Sequence, residues 1–595
     1  MASPEGGSTG SRASFDTYQQ RLPSKREEEI VHESMREFAQ LQSWRAVFAG
    51  HWNEVAQLIL PTSSNTFFYS NTNWPGAKKT QFQVDSTGAM ALEKFAAICD
   101  SLLTPRNMIW HGLKASNDYV MKDRPTRLWF EQATKALFDL RYAPEANFTT
   151  QNTVSFTNLG AFGNQGMFVD ELDITQYPFI KGLRYKSMPM GELFIRENHQ
   201  GMVDGFVRWF KLSARQAWQK WGDKGTFPDV LRPALTQDSE LLFDFIHRVV
   251  PRTDYDPERI DERGKPYASY YLSMTGKNLL SEGGYRTFPA AISRYAQAPG
   301  EVYGRSPAMM VLPSLKTLNA QKRTFLKVGH REGDPVLLTT DDGVQGVSLR
   351  PGAINPGTWS ADGKPLIGVL TTGKIQTTLE MMNEEKALIQ DAFMVNLFQL
   401  ALNLKDMPTM TATQVIEIMN QKGILLGPTV GNQQSTYVGP LVMRELDVAM
   451  ALGKLPPMPP RLREARGEYQ VVYSSPLARA MQGEHASGFM RAVETSKELI
   501  NITQDPSHLD WANLDVAMPA IARMQNTLES WINTDDTITA KRRARAQAAQ
   551  QQAKIQALPA QAAIMKAQAV QAKAGIGPGQ APAQGGQPLQ QQLAA

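Results

Sequence analysis

The sequence predicts an α+β fold that is mainly α, and three observations predict it. Apolar residues recur at spacings of three and four from Val31 to Ile59, the period of a helix buried along one stripe. Short alternating runs broken by glycine fill residues 165–210, as paired strands do. A stretch rich in glycine and proline, 332–375, carries strand signals between two long helical patterns. At 595 residues the chain is long enough for several packed layers.

The first helix holds Val31, Met35, Phe38, Leu41, Trp44, Phe48, Trp52, Val55 and Ile59 on its stripe and stops at Pro61. All nine are expected in the core. Ser86 is placed to cap a second helix running to Leu103, ahead of Pro105. Asn107 to Leu113 reads as a strand, and Pro125 to Arg141 as a helix. QGMFVDEL, FIKGLRYKSM, GELFIRE and GMVDGFVRWF then read as one meander. Leu212 to Trp221 is amphipathic, and Leu241–Pro251 and Ala268–Met274 read as strands.

A helix is expected from Ser314 to His330. From Ser314 to Arg331 it carries Lys316, Lys322, Arg323, Lys327 and Arg331 and no acid. PVLLTT, GVSLR and LIGVL are strand candidates beyond it. The next helix, Gln376 to Leu402, holds Glu380, Glu384, Glu385 and Asp391 against one base, Lys386. Two helices of opposite charge so placed suit lateral pairing between copies; the alternative is a pair of solvated faces. Exposed ion pairs contribute only about 0–1 kcal/mol each, so such pairing sets register more than stability. Asn403 to Met410 is a polar break. Thr411 and Gln414 then form a capping box before Val415. Tyr437–Leu452 is helical, KLPPMPPRLR ends it, YQVVYSS is a strand, and Ser475-Pro476 starts a further helix. Ile538–Lys573, rich in Ala, Gln, Lys and Arg, predicts a slender helix interrupted at Pro559. Residues 1–24 and 574–595 have the composition of disordered tails.

Apolar residues make up 42% and charged residues 20%, the proportions of an ordinary globular protein. No run of 18 apolar residues argues for a membrane span, and the N-terminus has no apolar core of a signal peptide. Cys99 is the only cysteine, which excludes an intrachain disulfide and a cysteine-rich metal site and fits a reducing compartment. The net charge is +4, unevenly spread. From Thr537 onward there is no acid and there are seven bases: Lys541, Arg542, Arg543, Arg545, Lys554, Lys566 and Lys573. A cationic end on a nearly neutral body points to a polyanion, or to a solvating tail.

No catalytic constellation, cofactor motif or metal site emerges. Gly368 to Lys374 has the spacing of a phosphate loop, but Ile375 replaces the Mg²⁺-holding hydroxyl and no parallel sheet surrounds it. Gly6-Gly-Ser8-Thr-Gly10 fits a nucleophile elbow without the strand that must precede one. The histidines are scattered, and His51 reads as a surface or core residue. Asp341-Asp342 and Asp535-Asp536 lack partners at ligand spacing. The chain therefore does not read as an enzyme.

Five stretches in order do carry a resemblance: FAAICDSLLTPRNMIWHGL, ANFTTQNTVSFTNLGAFGNQGMFVDE, GEVYGRSPAMMVLPSLKTLN, MTATQVIEI and SSPLARAMQ. Around two helices bracketing a β insertion, they resemble the portal, or head-to-tail connector, family of short-tailed bacteriophages. The resemblance runs from about residue 25 to 550. It implies a dodecameric ring at one capsid vertex of the virion, assembled in the host cytoplasm, that conducts double-stranded DNA during packaging and ejection. Its implied partners are further copies, the terminase large subunit, tail adaptor or nozzle proteins, the major capsid protein and scaffolding protein, with no membrane. By position it implies a wing (25–305, continued at 411–470), a first stem helix (306–330), a clip (331–375) and a second stem helix (376–402). A tunnel loop (403–410), a crown (471–535) and a barrel helix (536–573) follow. In that frame Glu380, Glu384 and Glu385 would line the DNA channel, Lys405 on the tunnel loop would touch phosphate, and Lys541, Arg542, Arg543 and Arg545 would form a basic capsid-side segment. The competing readings are a virion-internal DNA-binding protein that uses the basic segment alone, and a nucleotide-driven motor built on Gly368–Lys374.

Overall fold

The computed structural model describes residues 24–68, 77, 79–172, 179–222, 227–339, 346–360, 362–370, 375–395, 427–465, 468–473, 476–503, 507, 510–524, 527 and 531–573. Helix α1 (Lys25–Ile59) opens with a reciprocal capping box between Ser24 and Glu27. Its stripe enters the core as its period predicts, with one exception. Trp44 is 60% exposed, because the buried position in that turn is taken by Arg45. The Arg45 guanidinium donates to the carbonyls of Met190, Gly191, Leu193 and Phe67 at 3.0–3.3 Å and lies 3.7 Å over the Phe194 ring. Burial lowers its pKa to about 10.

Helix α2 (Thr87–Leu103) is where Ser86 places it, but the Ser86 hydroxyl does not cap it; Asp85 Oδ1 accepts the Thr87 N–H at 2.8 Å. Strand β1 (His111–Ala115) starts later than expected and pairs antiparallel with the distant Tyr469–Tyr473. Helix α3 (Arg124–Arg141) is followed by an unpredicted one, α4 (Phe148–Phe162), which ends at Gly163 with φ +74°. A Cβ at Gly163 would come within 2.7 Å of the Gly304–Ser306 backbone, so glycine is required twice over there.

The expected single meander is two sheets. β2 (Asn164–Glu171) is central to a three-stranded sheet, between β3 (Leu183–Ser187) and β9 (Ala290–Arg294). β4 (Leu193–Glu197) and β5 (Val203–Ser213) belong instead to a five-stranded antiparallel sheet. It continues through β6 (Leu242–Pro251), β7 (Tyr267–Ser273) and β8 (Asn278–Tyr285), with helix α5 (Ala214–Trp221) between β5 and β6. One core cluster joins Trp52 and Ile59 of α1, Phe95 of α2, Phe162 of α4 and Phe206 of β5.

Helix α6 (Leu312–Gly333) and helix α7 (Ile375–Ala392) pack against each other and bracket a two-stranded antiparallel ladder, β10 (Leu337–Thr339) with β11 (Ile367–Val369). GVSLR is not a strand. The 18 residues of α7 span roughly 27 Å, and residues 396–402 of the expected helix lie outside the described residues. Met394 adopts φ +60°, which ends the helix and drops Phe393 and Val395 into the core. Lys405, the 403–410 break and the Thr411 box lie outside the described residues. A π turn, Gln434–Val438, leads into α8 (Gly439–Ala451), followed by β12 (Tyr469–Tyr473) and α9 (Pro476–Thr503).

Residues 511–595 form a second compact unit. Within it α10 (Leu514–Met524) precedes α11 (Asp535–Lys573). α11 is helical through Pro559, where a break was expected. A proline removes one backbone donor, and strong helix formers flank this one on both sides.

Candidate functional site

The helix pair is rooted at one end and projects at the other. Leu312, Leu315 and Leu318 of α6, Met382 and Ile389 of α7, and Phe393 just beyond it are buried in the main core. Beyond Asn319 no described residue of α6 is buried. Asn319 fixes the exit by accepting the N–H groups of Val84 and Asp85 at 2.8 and 3.1 Å.

At about 100° per residue, Glu380, Glu384 and Asp391 fall within roughly 40° of arc on α7, opposite Met382 and Ile389. All three are exposed. Glu385 lies off this stripe, half-buried, with Oε2 buried and without a hydrogen-bond partner among the described residues. On α6, Lys316, Arg323, Lys327 and Arg331 fall within roughly 80° of arc. Lys316 pairs with Glu54 at 2.7 Å and Arg323 donates to the Phe82 carbonyl at 3.4 Å. Among the described residues no ion pair joins Lys322, Arg323, Lys327 or Arg331 to Glu380, Glu384 or Glu385.

A buried polar network holds the body from which the pair projects. Arg141 of α3 and Glu445 of α8 are fully buried and ion-paired, with Arg141 Nε donating to Glu445 Oε1 at 3.0 Å. The Tyr185 hydroxyl donates to the same oxygen at 2.7 Å, and the guanidinium lies 4.3 Å over the Trp110 ring. Burial alone would depress the Arg141 pKa, but the charge and hydrogen bonds of Glu445 outweigh it and raise it. His111, against the same guanidinium, is pushed well below its ordinary 6.5 by burial and then by Arg141. Beside this, Asn152 donates to Asp100 Oδ1 at 2.6 Å and to Thr104 Oγ1 at 2.8 Å, and the Tyr437 hydroxyl donates to Asn152 Oδ1 at 2.8 Å. Sequence reasoning missed the whole network, since its members share no local pattern.

In the second unit Lys541, Arg542, Arg543 and Arg545 occupy the first turns of α11, and all are exposed. Their spacing spreads them around the helix rather than along one face. Arg542 is engaged by Asp515 at 2.5 and 3.0 Å, which lowers the Asp515 pKa through that hydrogen bond and charge. Gly368 and Val369 lie in the antiparallel β10–β11 ladder, not at the end of a parallel strand, and Lys374 is outside the described residues. No described helix is long and apolar enough to cross a membrane.

Comparison with known proteins adds a family. The profile of the bacteriophage head to tail connecting protein family matches residues 31–532. A portal protein of Salmonella phage epsilon15 is 26% identical over 525 residues, 87% of this chain and 91% of the relative. A probable portal protein of Bordetella phage BPP-1 is 26% identical over 453 residues, 75% of this chain and 79% of the relative.

Proposed function

Because the chain belongs to the bacteriophage head to tail connecting protein family, we propose that its copies close into a dodecameric portal ring at one capsid vertex, through which double-stranded DNA is packaged and ejected. The observation that carries this reading is the family match across residues 31–532, nearly the whole chain. The rooted helix pair supports it: each copy contributes α6 and α7 as a stem, and the ladder between them (331–375) as a clip. On that clip the terminase large subunit docks first and the tail adaptor or nozzle proteins later. The 403–410 segment with Lys405 meets the DNA backbone. The wing (25–305 and 411–470) meets the major capsid protein and, during assembly in the host cytoplasm, scaffolding protein. The crown (471–535) and the α11 region (536–573) lie on the capsid side. There Lys541, Arg542, Arg543 and Arg545 of each copy ring the exit with positive charge.

The acidic stripe of α7 suits a conduit. Each phosphate neutralised by a cation adds salt-sensitive affinity and slows sliding, whereas Glu380 and Glu384 repel phosphate. Glu385 contributes charge from behind that stripe. The ring supplies no fuel; a separate motor does.

Two measurements test the reading. Negative-stain images of the purified chain are expected to show rings with a central hole wide enough for a duplex; a compact single-copy particle under all assembly conditions overturns it. Replacing Glu380 and Glu384 with Lys is expected to slow DNA packaging without loss of rings, and an unchanged packaging rate rejects the repulsive bore. Steeply salt-dependent DNA binding by a single-copy particle would instead favour a virion-internal DNA-binding protein acting through α11.

A further inference from the structure

Strand β9 is an edge strand, bonded to β2 on one side only. Every second residue of it faces β2: the Pro289 carbonyl accepts the Val169 N–H at 2.9 Å, and the Tyr295 N–H reaches the Gly163 carbonyl at 2.9 Å. In this antiparallel register the main-chain groups of Ala290, Ile292 and Arg294 therefore point to the open edge. There Asn432 and Gln433 donate their side-chain amides to the Arg294 carbonyl at 2.8 and 2.9 Å, as a neighbouring strand would. The N–H and carbonyl groups of Ala290 and Ile292 have no hydrogen-bond partner among the described residues, although both residues are buried. Buried main-chain groups left unpaired are rare and costly, and an open strand edge is a template for another strand.

A cavity of about 320 Å³ lies against this stretch. Met202, between β4 and β5, and Phe288, which packs on Phe206 of β5, line it from the five-stranded sheet. Ser435 and Thr436 of the π turn and Pro440 of α8 line it from the other layer. Arg294, the charged residue on its wall, is ion-paired with Glu197 at 2.6 Å, so the site carries no free charge that would select an ion. We infer that the open edge of β9 takes an extended, uncharged segment of another protein, which joins the sheet beside β9 and pairs with Ala290 and Ile292. Main-chain bonds supply the affinity. Alternate side chains of the segment meet the two walls, so small and β-branched residues fit. From Ala290 to Arg294 the edge rises about 14 Å, which calls for a segment of roughly five residues. The fold also argues against a second copy as the donor. Every described strand of this chain already pairs within its own sheet, so a copy would have to open a sheet to lend one of them. A foreign segment bears no such cost, and the inference stands independently of the ring reading.

The test uses the full-length chain and a fluorescent hexapeptide that alternates threonine and valine and is capped at both ends. Anisotropy is expected to show saturable binding, and hydrogen exchange at the Ile292 amide is expected to slow at least about tenfold on saturation. The same peptide methylated on every backbone nitrogen keeps its side chains but cannot donate to the edge; it should bind at least about tenfold more weakly. Ala290→Pro removes an outward-facing N–H and no bond to β2, and it too should weaken binding at least about tenfold. Its circular dichroism should match the parent. No binding of the peptide overturns the inference, and so does equal binding of its methylated form or by a folded Ala290→Pro chain. Slowing of Ile292 exchange when the chain assembles with no other protein present also overturns it, because a second copy would then cover the edge.

Discussion

Replacing Glu445 by Gln removes one charge from a site with no access to water. Arg141 keeps its burial and its place over Trp110 but loses the charge that compensates it. Breaking a buried pair by removing one partner costs about 3–5 kcal/mol, because the remaining ion is left desolvated. Arg141→Met is expected to cost a similar amount, leaving the carboxylate with only the Tyr185 hydroxyl. The double variant Arg141→Met/Glu445→Leu should cost far less than the sum, since a matched apolar pair is often neutral relative to the ion pair it replaces. If the double costs no more than one single variant, the cycle should give a coupling of at least about 3 kcal/mol, above the few tenths expected of unconnected sites. Lys316–Glu54, with both side chains more than half exposed, is the internal control; Glu54→Gln should cost about 0–1 kcal/mol. Urea unfolding of these four variants and of Glu445→Leu, which closes the cycle, at one protein concentration measures this. Single variants within 1 kcal/mol of the parent, or additive losses in the double, would refute the claim that the pair is a desolvated unit.

Acid should weaken the fold through two buried histidines. Burial pushes both His111 and His247 well below 6.5. The unfolded chain therefore takes up their protons first as pH falls. Their contribution is complete above 6.5 and declines below it by up to about 1.4 kcal/mol per pH unit for each. Urea midpoints between about pH 7.5 and 5.5 should show the decline, and His247→Gln should flatten it; a parent profile without slope contradicts the assignment. On α11, replacing Lys541, Arg543 and Arg545 by Ala should weaken duplex binding equally for all sequences. It should also reduce the salt slope by about one per residue. Arg542→Ala should do less, because Asp515 already holds that side chain. Fluorescence anisotropy against salt measures this, and an unchanged slope removes α11 from the DNA contact.

What the sequence made legible was local. α1 could be read because an apolar period of three to four and a capping box coincide. α4 could not, because Phe156, Leu159, Ala161 and Phe162 bury it on nearly every side and no stripe remains to betray it. The four strands of residues 165–210 were legible as strands but not as members of two sheets. That assignment depends on β2 pairing with β9 and β5 with β6, partners no local pattern names. Arg141 and Glu445 stand 304 residues apart, so no spacing rule could join them.

The projecting end shows a different limit. The opposite charges of α6 and α7 are plain in composition, yet which acids share a face follows only from where the pair is rooted. Asp391 joins Glu380 and Glu384 because Met382 and Ile389 take the opposite side, and Glu385 is turned inward by the same roots. Ile354 and Trp359, by type, would be placed in a core, and the fold leaves them outside. Among the described residues no ion pair joins Lys322, Arg323, Lys327 or Arg331 to Glu380, Glu384 or Glu385, and Leu349, Ile354 and Trp359 find no core beside them.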